Sequence, residues 1–353
     1  MRPAHRPVRW RELTFSVSTY VSHPKTLTSR DIARLAGVSQ TTVSRVLQGS
    51  ALVRPDTRKA VLEVIGQAGY MPSAAARSMR TRRSLTVALV VANLALNPLY
   101  PALLQLLFSA LRERGLDASV WEAESFDEHT VRALAESSVD GVIVATAVDS
   151  AQPYLAELRQ RKPIVLVNRK VASARFDQYT SDNLGGGAAV ADYFQQGGRT
   201  RPALIAADSD ASTIMDRESG YLRSLGQHGM KIAKEAVARV SHFSYEAGYS
   251  AAEELISRYE PDCIFCVNDI VAIGALDALK AHGVDVPATT WVVGYDDVPM
   301  CAWGCIQLTT VRQPLEAMAH GAVERLCNLL DGDSSTPQLH TLPNEIVRRA
   351  TSS

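Results

Sequence analysis

From Leu85 onward, short apolar β-branched runs alternate with amphipathic helical stretches, and few architectures accommodate that pattern. TVALVV (86–91), GVIVA (141–145), IVLVN (164–168), ALIAA (203–207), CIFCV (263–267) and WVVGY (291–295) read as strands. Helical periodicity marks residues 100–114, 127–138, 153–161, 185–197, 216–228, 246–259 and 270–282 between and after them. Strands apolar on both faces and joined by helices predict parallel sheets covered on both sides. About ten such units exceed one ordinary sheet, so two doubly wound lobes are expected. In such sheets a ligand sits in the crevice at the carboxyl ends of the strands.

The first quarter has a different texture. Residues 1–83 hold 15 Lys+Arg against 4 Asp+Glu, leaving 22 and 33 of the 37 of each for the rest, so a net +11 segment precedes a net −11 body. A basic head on an acidic body suggests phosphate contact confined to the head. Within it, TSRDIARLAGVSQTTVSRVLQ (28–48) reads as two short helices around a tight turn. Ile32, Leu35 and Ala36 recur at helical spacing, and Thr28 or Ser29 with Asp31 supplies capping. Gly37 ends the first helix in the left-handed region, Ser39 caps the second, and Val43, Val46 and Leu47 face inward. Gln40, Thr41, Ser44 and Arg45 then lie on an open face that suits base edges and phosphates in a major groove. The alternative is an ordinary helical hairpin with a polar wet side. A third helix starts at Arg54-Pro55-Asp56-Thr57, with Val61, Leu62, Val64 and Ile65 as its buried stripe, and ends near Gly69.

The string D-I-A-R-L-A-G-V-S-x-x-T-V-S-R-V-L resembles the DNA-binding head of the LacI/GalR family of bacterial transcription regulators, and the resemblance extends through nearly the whole chain. It implies an all-α helix-turn-helix head followed by an α/β body of two doubly wound, periplasmic-binding-protein-like lobes. Residues 1–24 are expected to be a basic, disordered leader, with a DNA-touching arm as the alternative. Residues 25–71 would be the head, 72–84 a hinge helix or linker, and 85–350 the effector-binding and dimerisation body. Lobe 1 would take about 85–182 and 312–340, and lobe 2 about 183–311 and 341–350, with TLPNEIVRR as its final strand. The resemblance places DNA contacts at Thr28, Ser29, Ser39, Gln40, Thr41, Thr42, Ser44, Arg45 and Arg54. In the hinge it adds Ser73, Ala76, Met79 and Arg80, Met79 being the apolar wedge into a central base step. The chain ends almost directly after the last strand, without a tetramerising heptad tail, so a homodimer on a palindromic operator is expected. Its interface would include the apolar run Leu103, Leu104, Leu106, Leu107 and Phe108 on the first-lobe helices.

The strand ends supply the candidate pocket. Asn268 and Asp269 follow CIFCV, Asp296 ends WVVGYD, Arg217 opens a helix, and Phe243 offers an apolar face. Carboxylates and amides across a cleft suit hydroxyls, and an Arg suits a carboxylate or ring oxygen. In the resembled family, residues matching Arg217, Phe243, Asn268 and Asp296 line the effector site. Asn97 and Tyr100 match a family turn on the first lobe, where Asn168 ends the third strand. Asp269 reads as a helix cap. The expected effector is a small polar metabolite, a sugar or a sugar-derived acid whose carboxylate would meet Arg217. Leu94-Ala95-Leu96 makes one wall unusually apolar, the family's usual His is missing from GGRTRPALI, and CAWGCIQ replaces a Pro-rich turn.

Enzyme chemistry is not expected. No G-x-G-x-x-G follows the first strand, and P-loop, H-E-x-x-H and G-x-S-x-G motifs are missing. Cys263 and Cys266 sit three apart in a strand and so on opposite faces, while Cys301 and Cys305 are expected to be core thiols. No cofactor or metal is expected. The absence of a signal-peptide pattern and of a disulfide framework suggests a reduced cytoplasm. The competing classes are a transporter's solute-binding protein, which shares the two lobes but not the basic head, and a cysteine-based redox or metal enzyme.

Overall fold

The structure, a computed structural model, describes residues 27–47, 50–70, 83–123, 126–173 and 175–352. The chain separates into two compact units, a head within the first 77 residues and a body from Ser78 on. The hinge candidates Ser73, Ala76, Met79 and Arg80 and the leader lie outside the described residues.

The head is three helices, α1 (Ser29–Leu35), α2 (Gln40–Leu47) and α3 (Pro55–Ala68). A capping box starts α1: Asp31 N–H donates to Thr28 Oγ1, and Thr28 N–H donates to Asp31 Oδ2 at 3.0 Å. Gly37 takes φ 64° in the turn, and Ser39 Oγ accepts from Thr42 N–H at 3.1 Å to open α2. Ile32, Ala33, Val43, Val46, Val61 and Tyr70 form the core. Two expected core residues are outside it, Leu35 at 58% and Leu62 at 49% exposure. At about 100° per residue, Leu35 points away from the Ile32–Ala33–Ala36 face, and Leu62 away from the Val61–Ile65–Ala68 face.

The body contains two six-stranded sheets. Sheet 1 is built from β1 (Thr86–Val91), β2 (Asp117–Glu122), β3 (Gly141–Val144), β4 (Ile164–Val167), β5 (Asp177–Ser181) and β11 (Leu339–Leu342), in the order β11-β5-β4-β3-β1-β2. Sheet 2 contains β6 (Pro202–Ala207), β7 (Val237–Val240), β8 (Cys263–Cys266), β9 (Trp291–Asp296), β10 (Thr309–Arg312) and β12 (Glu345–Val347), in the order β12-β10-β9-β8-β6-β7. Pairing is parallel except between β10 and β12. Helices α4 (Leu99–Glu113), α5 (Glu128–Glu136), α6 (Gln152–Arg159) and α11 (Leu315–Leu330) cover sheet 1. Sheet 2 is covered by α7 (Asn183–Gln196), α8 (Ser212–Gln227), α9 (Tyr245–Arg258) and α10 (Asp269–Ala281). The chain passes between lobes three times, after β5, after β10 and after β11.

Several expectations need correction. TLPNEIVRR is not one strand: Pro343 and Asn344 interrupt it, so Thr341 and Leu342 complete sheet 1 while Glu345–Val347 joins sheet 2. Of the apolar run on α4, Leu103, Leu104 and Leu107 are buried in the lobe's own core, and Leu106 and Phe108 are half-buried against it. Helical spacing turns every third or fourth residue inward, so a continuous apolar run cannot all face a partner. Cys263, Cys266 and Cys301 are buried, but Cys305 is exposed because it lies beyond the short helical turn Pro299–Ala302 on the surface beside Trp303.

Candidate functional site

Each strand of a parallel sheet delivers its carboxyl end to the same edge, and both sheets turn that edge toward one cleft of about 680 Å³. Phe126, Tyr154, Arg169 and Asp127 of lobe 1 line it, facing Asp208, Asp210, His242 and Phe243 of lobe 2. At its inner end lies a second cavity of about 20 Å³. The seven effector candidates, Asn97, Tyr100, Asn168, Arg217, Phe243, Asn268 and Asp296, all line this inner cavity, and Asn97, Tyr100 and Phe243 line the larger cleft as well.

Arg217 organises the inner wall. It is 3% exposed, and each of its three guanidinium nitrogens has a protein partner. Nη2 lies 3.0 Å from Asp296 Oδ1, Nε donates to Asn183 Oδ1 at 2.8 Å, Nη1 donates to the Val267 carbonyl at 2.8 Å, and the group stacks 3.7 Å from the Tyr295 ring centre. Asp296 also accepts from Gln313 Nε2 at 2.6 Å, and Gln313 Oε1 accepts from Ser181 Oγ at 2.7 Å. Ser181 and Gln313 belong to two of the three crossovers. The third is tied in by Asn344, whose Nδ2 donates to the Asp182 carbonyl at 2.8 Å and to Tyr295 Oη at 2.6 Å. One hydrogen-bonded chain therefore runs from the interlobe hinge to the cavity wall. Asn183, Gln313, Asn344 and Arg169 were not singled out in the sequence; Gln313 and Asn344 flank strand ends, a weak signal.

Backbone conformation aims these residues. Asn168 directly follows β4 at φ 70°, Asp296 ends β9 at φ 124° and Asp297 follows at 55°. Asn and Asp tolerate positive φ better than other non-glycines, and residues held there concentrate at binding sites. Asn268 caps α10 by accepting from Val271 N–H at 3.1 Å. Asp269, expected to be that cap, is instead fully buried: Oδ2 accepts from Val298 N–H at 2.9 Å and Oδ1 from Thr310 Oγ1 at 2.5 Å. The residue before the helix, not its first residue, has the extended backbone a cap needs.

Burial, reinforced by the charge of Asp296, pushes the Asp269 carboxyl up to about 7. Asp296 is also raised by burial, against the pull of Arg217. A carboxyl whose folded pKa exceeds its unfolded value of about 3.9 favours folding most below that value, and the contribution is lost as pH rises through about 7. The body is therefore expected to lose stability from pH 5 to pH 8, by at most about 1.4 kcal/mol per pH unit for this group. Denaturant titrations of wild type and Asp269→Asn across that range check it. Parallel curves for the two proteins would refute the assignment.

The lobes also meet across the cleft. Asn97 and Asp296 line the same inner cavity, Lys170 Nζ lies 2.6 Å from Asp216 Oδ2, and Lys170 N–H donates to Ser212 Oγ at 2.9 Å. Because this ion pair is partly exposed, Lys170→Ala is expected to weaken closure by only about 0.2–1 kcal/mol. X-ray scattering would detect the change as a shift toward a more open body; an unchanged profile together with unchanged ligand affinity would rule it out.

On the head, Thr41 and Arg45 lie exposed on α2 with side chains that make no intramolecular bond among the described residues, and Arg54 is exposed at the start of α3. Gln40 is exposed too, but its Nε2 donates to Ser29 Oγ at 2.9 Å, bracing α2 on α1. Ser39 bonds Thr42 through their hydroxyls at 2.9 Å. Ser44 is half-buried between these residues and the core. Among the described residues no helix is long and apolar enough to cross a membrane, and no cluster of His, Cys, Asp or Glu is arranged to hold a metal ion.

A small helical head with a polar second helix, together with a two-lobed ligand-binding body, defines the class of effector-responsive DNA-binding regulators. Residues 28–73 match the profile of bacterial regulatory proteins of the lacI family, and residues 191–352 match that of the periplasmic binding protein-like domain. The HTH-type transcriptional regulator CelR of Thermobifida fusca is 33% identical over 90% of this chain and 96% of its own length. GalS of Salmonella typhimurium is 31% identical over 92% and 96%. Among solved structures, a CelR–cellobiose complex covers 92% of this chain and 99% of its own at a TM-score of 0.70 and 31% identity. The lac repressor dimer bound to operator and the anti-inducer ONPF covers 93% and 99%, with a TM-score of 0.84 at 24% identity, and shares the fold. The chain belongs to the lacI family of bacterial regulatory proteins, and it is a DNA-binding transcription regulator.

Proposed function

We propose that the chain is a cytoplasmic repressor that binds a palindromic operator as a homodimer and whose affinity is set by a small polar metabolite held between the lobes. Its functional divisions are the head at 25–71, the hinge at 72–84 and the effector body at 85–350. Gln40, Thr41, Ser44 and Arg45 read base edges and nearby phosphates, while Thr28, Ser29, Ser39, Thr42 and Arg54 contact the backbone. The hinge residues Ser73, Ala76, Met79 and Arg80 enter the minor groove, with Met79 as the wedge. The dimer uses the outer edge of α4, where a groove is lined by Leu94, Pro101, Gln105 and Phe108.

One observation carries this reading: the interlobe hinge is hydrogen bonded directly to the wall of the effector cavity through Gln313 and Asp296. A ligand that favours one interlobe arrangement thereby shifts the hinge, and the coupling requires different affinity in the two arrangements. The cellobiose held by CelR supports a sugar as the effector.

The test is selection of bound sites from random duplex DNA. A palindrome with a defined central step is the expected result, and the enriched site should bind with a log–log salt slope of about −0.9 per phosphate contacted. Selection of non-palindromic sequence, or no selection with and without a sugar pool, refutes the reading.

A further inference from the structure

We infer that Asp140 and Arg83 are positioning residues that fix the point and direction at which the chain leaves the body for the head, and that they thereby set the half-site spacing the protein accepts. This rests on the reading of the chain as a homodimer on a palindromic operator.

The body's first three described residues are held from three sides. Arg83 Nη1 lies 3.1 Å from Asp331 Oδ1 and its Nη2 donates to the Leu330 carbonyl, so a cation closes the carboxyl end of α11, where the helix dipole favours one. Asp140, in the turn before β3, accepts from Ser84 N–H at 2.8 Å and from Ser84 Oγ at 3.1 Å through Oδ1, and from Leu85 N–H at 2.7 Å through Oδ2. The Leu85 carbonyl accepts from Asp117 N–H at 2.7 Å, at the start of β2. Lys162 Nζ fastens the segment that carries Asp140, donating to the Ser137 and Val139 carbonyls at 3.0 and 2.6 Å.

Starting a strand needs only its ladder partners, and two features here go beyond that. Arg83 is tied to α11 although it lies outside any strand. Leu85 takes φ 56°, a left-handed conformation that is costly for a leucine and persists only where its surroundings hold it. A residue in that conformation cannot continue an extended strand, so the chain bends on leaving β1, and the Asp140 carboxylate holds the bend.

At the other end of the connection, Tyr70 is 8% exposed in the core of the head. Twelve residues, 71–82, join the two anchors. At about 3.3–3.6 Å per extended residue, freeing 83–85 adds roughly 10 Å of reach, equivalent to some three base pairs at about 3.4 Å each. A dimer engages both half-sites at once only when its two connections span them together. Slack at this point therefore relaxes the spacing requirement and leaves base readout, which belongs to α2, untouched.

The experiment uses the full chain. The operator that wild type selects from random duplex DNA is synthesised with its centre unchanged, lengthened by one base pair and shortened by one, beside a duplex holding a single half-site. Fluorescence anisotropy gives the affinity of wild type, Asp140→Asn and Arg83→Met for each. An amide offers one acceptor oxygen where the carboxylate offers two, so Asp140→Asn strands one of the two backbone N–H groups with little change of shape. Wild type is expected to lose about tenfold or more on either altered centre, and each variant about threefold or less. The half-site sequence and the affinity for a single half-site should stay as in wild type. A merely structural role gives a different pattern, a lower melting temperature with affinity reduced by one factor on every duplex. That pattern overturns the inference, as does equal discrimination of spacing by wild type and both variants, or a wild type indifferent to spacing. All three leave the regulator reading intact. Failure of wild type to select a palindrome refutes that reading, and this inference with it.

Discussion

Replacing Arg217 with Met is expected to cost the body about 3–5 kcal/mol, the usual penalty for removing one partner of a buried ion pair. The loss goes beyond one contact. Asp296 would be left as a buried carboxylate at φ 124°, held by Gln313, and Asn183 Oδ1 would lose the donor it accepts from. Urea titration measures the cost. The double variant Arg217→Met/Asp296→Asn should recover a good part of it, because the stranded charge, more than the lost attraction, dominates the penalty. A single variant within about 1 kcal/mol of wild type would show that the pair is hydrated and the wall is not as described. Where the single variant still folds, its operator affinity should respond less to effector, since the cavity end of the chain that reaches the hinge through Asp296 and Gln313 is lost.

The second large effect is expected from Gly220→Val. A Cβ at Gly220 would sit 1.9 Å from the Leu184 carbonyl oxygen, and one at Gly187 would sit 2.1 Å from the Arg217 carbonyl oxygen. α7 and α8 therefore touch backbone to backbone at a reciprocal glycine crossing. Neither obstacle is a flexible side-chain end, so the helices must separate. Overpacking typically costs about 1–3 kcal/mol, and a backbone clash on this scale belongs at or beyond the upper end. At about 2–4 °C per kcal/mol, the melting temperature should fall by about 6 °C or more. Because α7 carries Asn183 and α8 carries Arg217, effector binding should fail with it. Gly226→Ala is the control on the same helix. Its Cβ would meet nothing within 4 Å, so it should be neutral or stabilising by up to about 1 kcal/mol. Equal melting temperatures for Gly220→Val and wild type would disprove the close crossing.

Sequence alone determined what is written in local periodicity and spacing. The three head helices, the Gly37 turn and the apolar strands β1, β3, β4, β6, β8 and β9 are legible because each is signalled by a few adjacent residues. Asn168, Asn268 and Asp296 are legible because a parallel sheet sends every strand end to one edge, whereas Asn97, Tyr100, Arg217 and Phe243 stand out through their match to the family pattern. The strands that periodicity missed are polar or peripheral. Edge strand β2 is half-wet, and β5, DQYTS, is buried yet polar because it feeds the hinge. Only the tertiary structure decided what each polar residue is free to do. A buried donor or acceptor binds whatever is nearest in space, and those neighbours come from distant segments: Arg217 is engaged by residues 183, 267 and 296, and Asp269 by Val298 and Thr310. Composition at 217 announces a cation. That its charge is already matched, while Arg169 keeps an unused donor beside the cleft, follows from packing the chain's ends and crossovers around it.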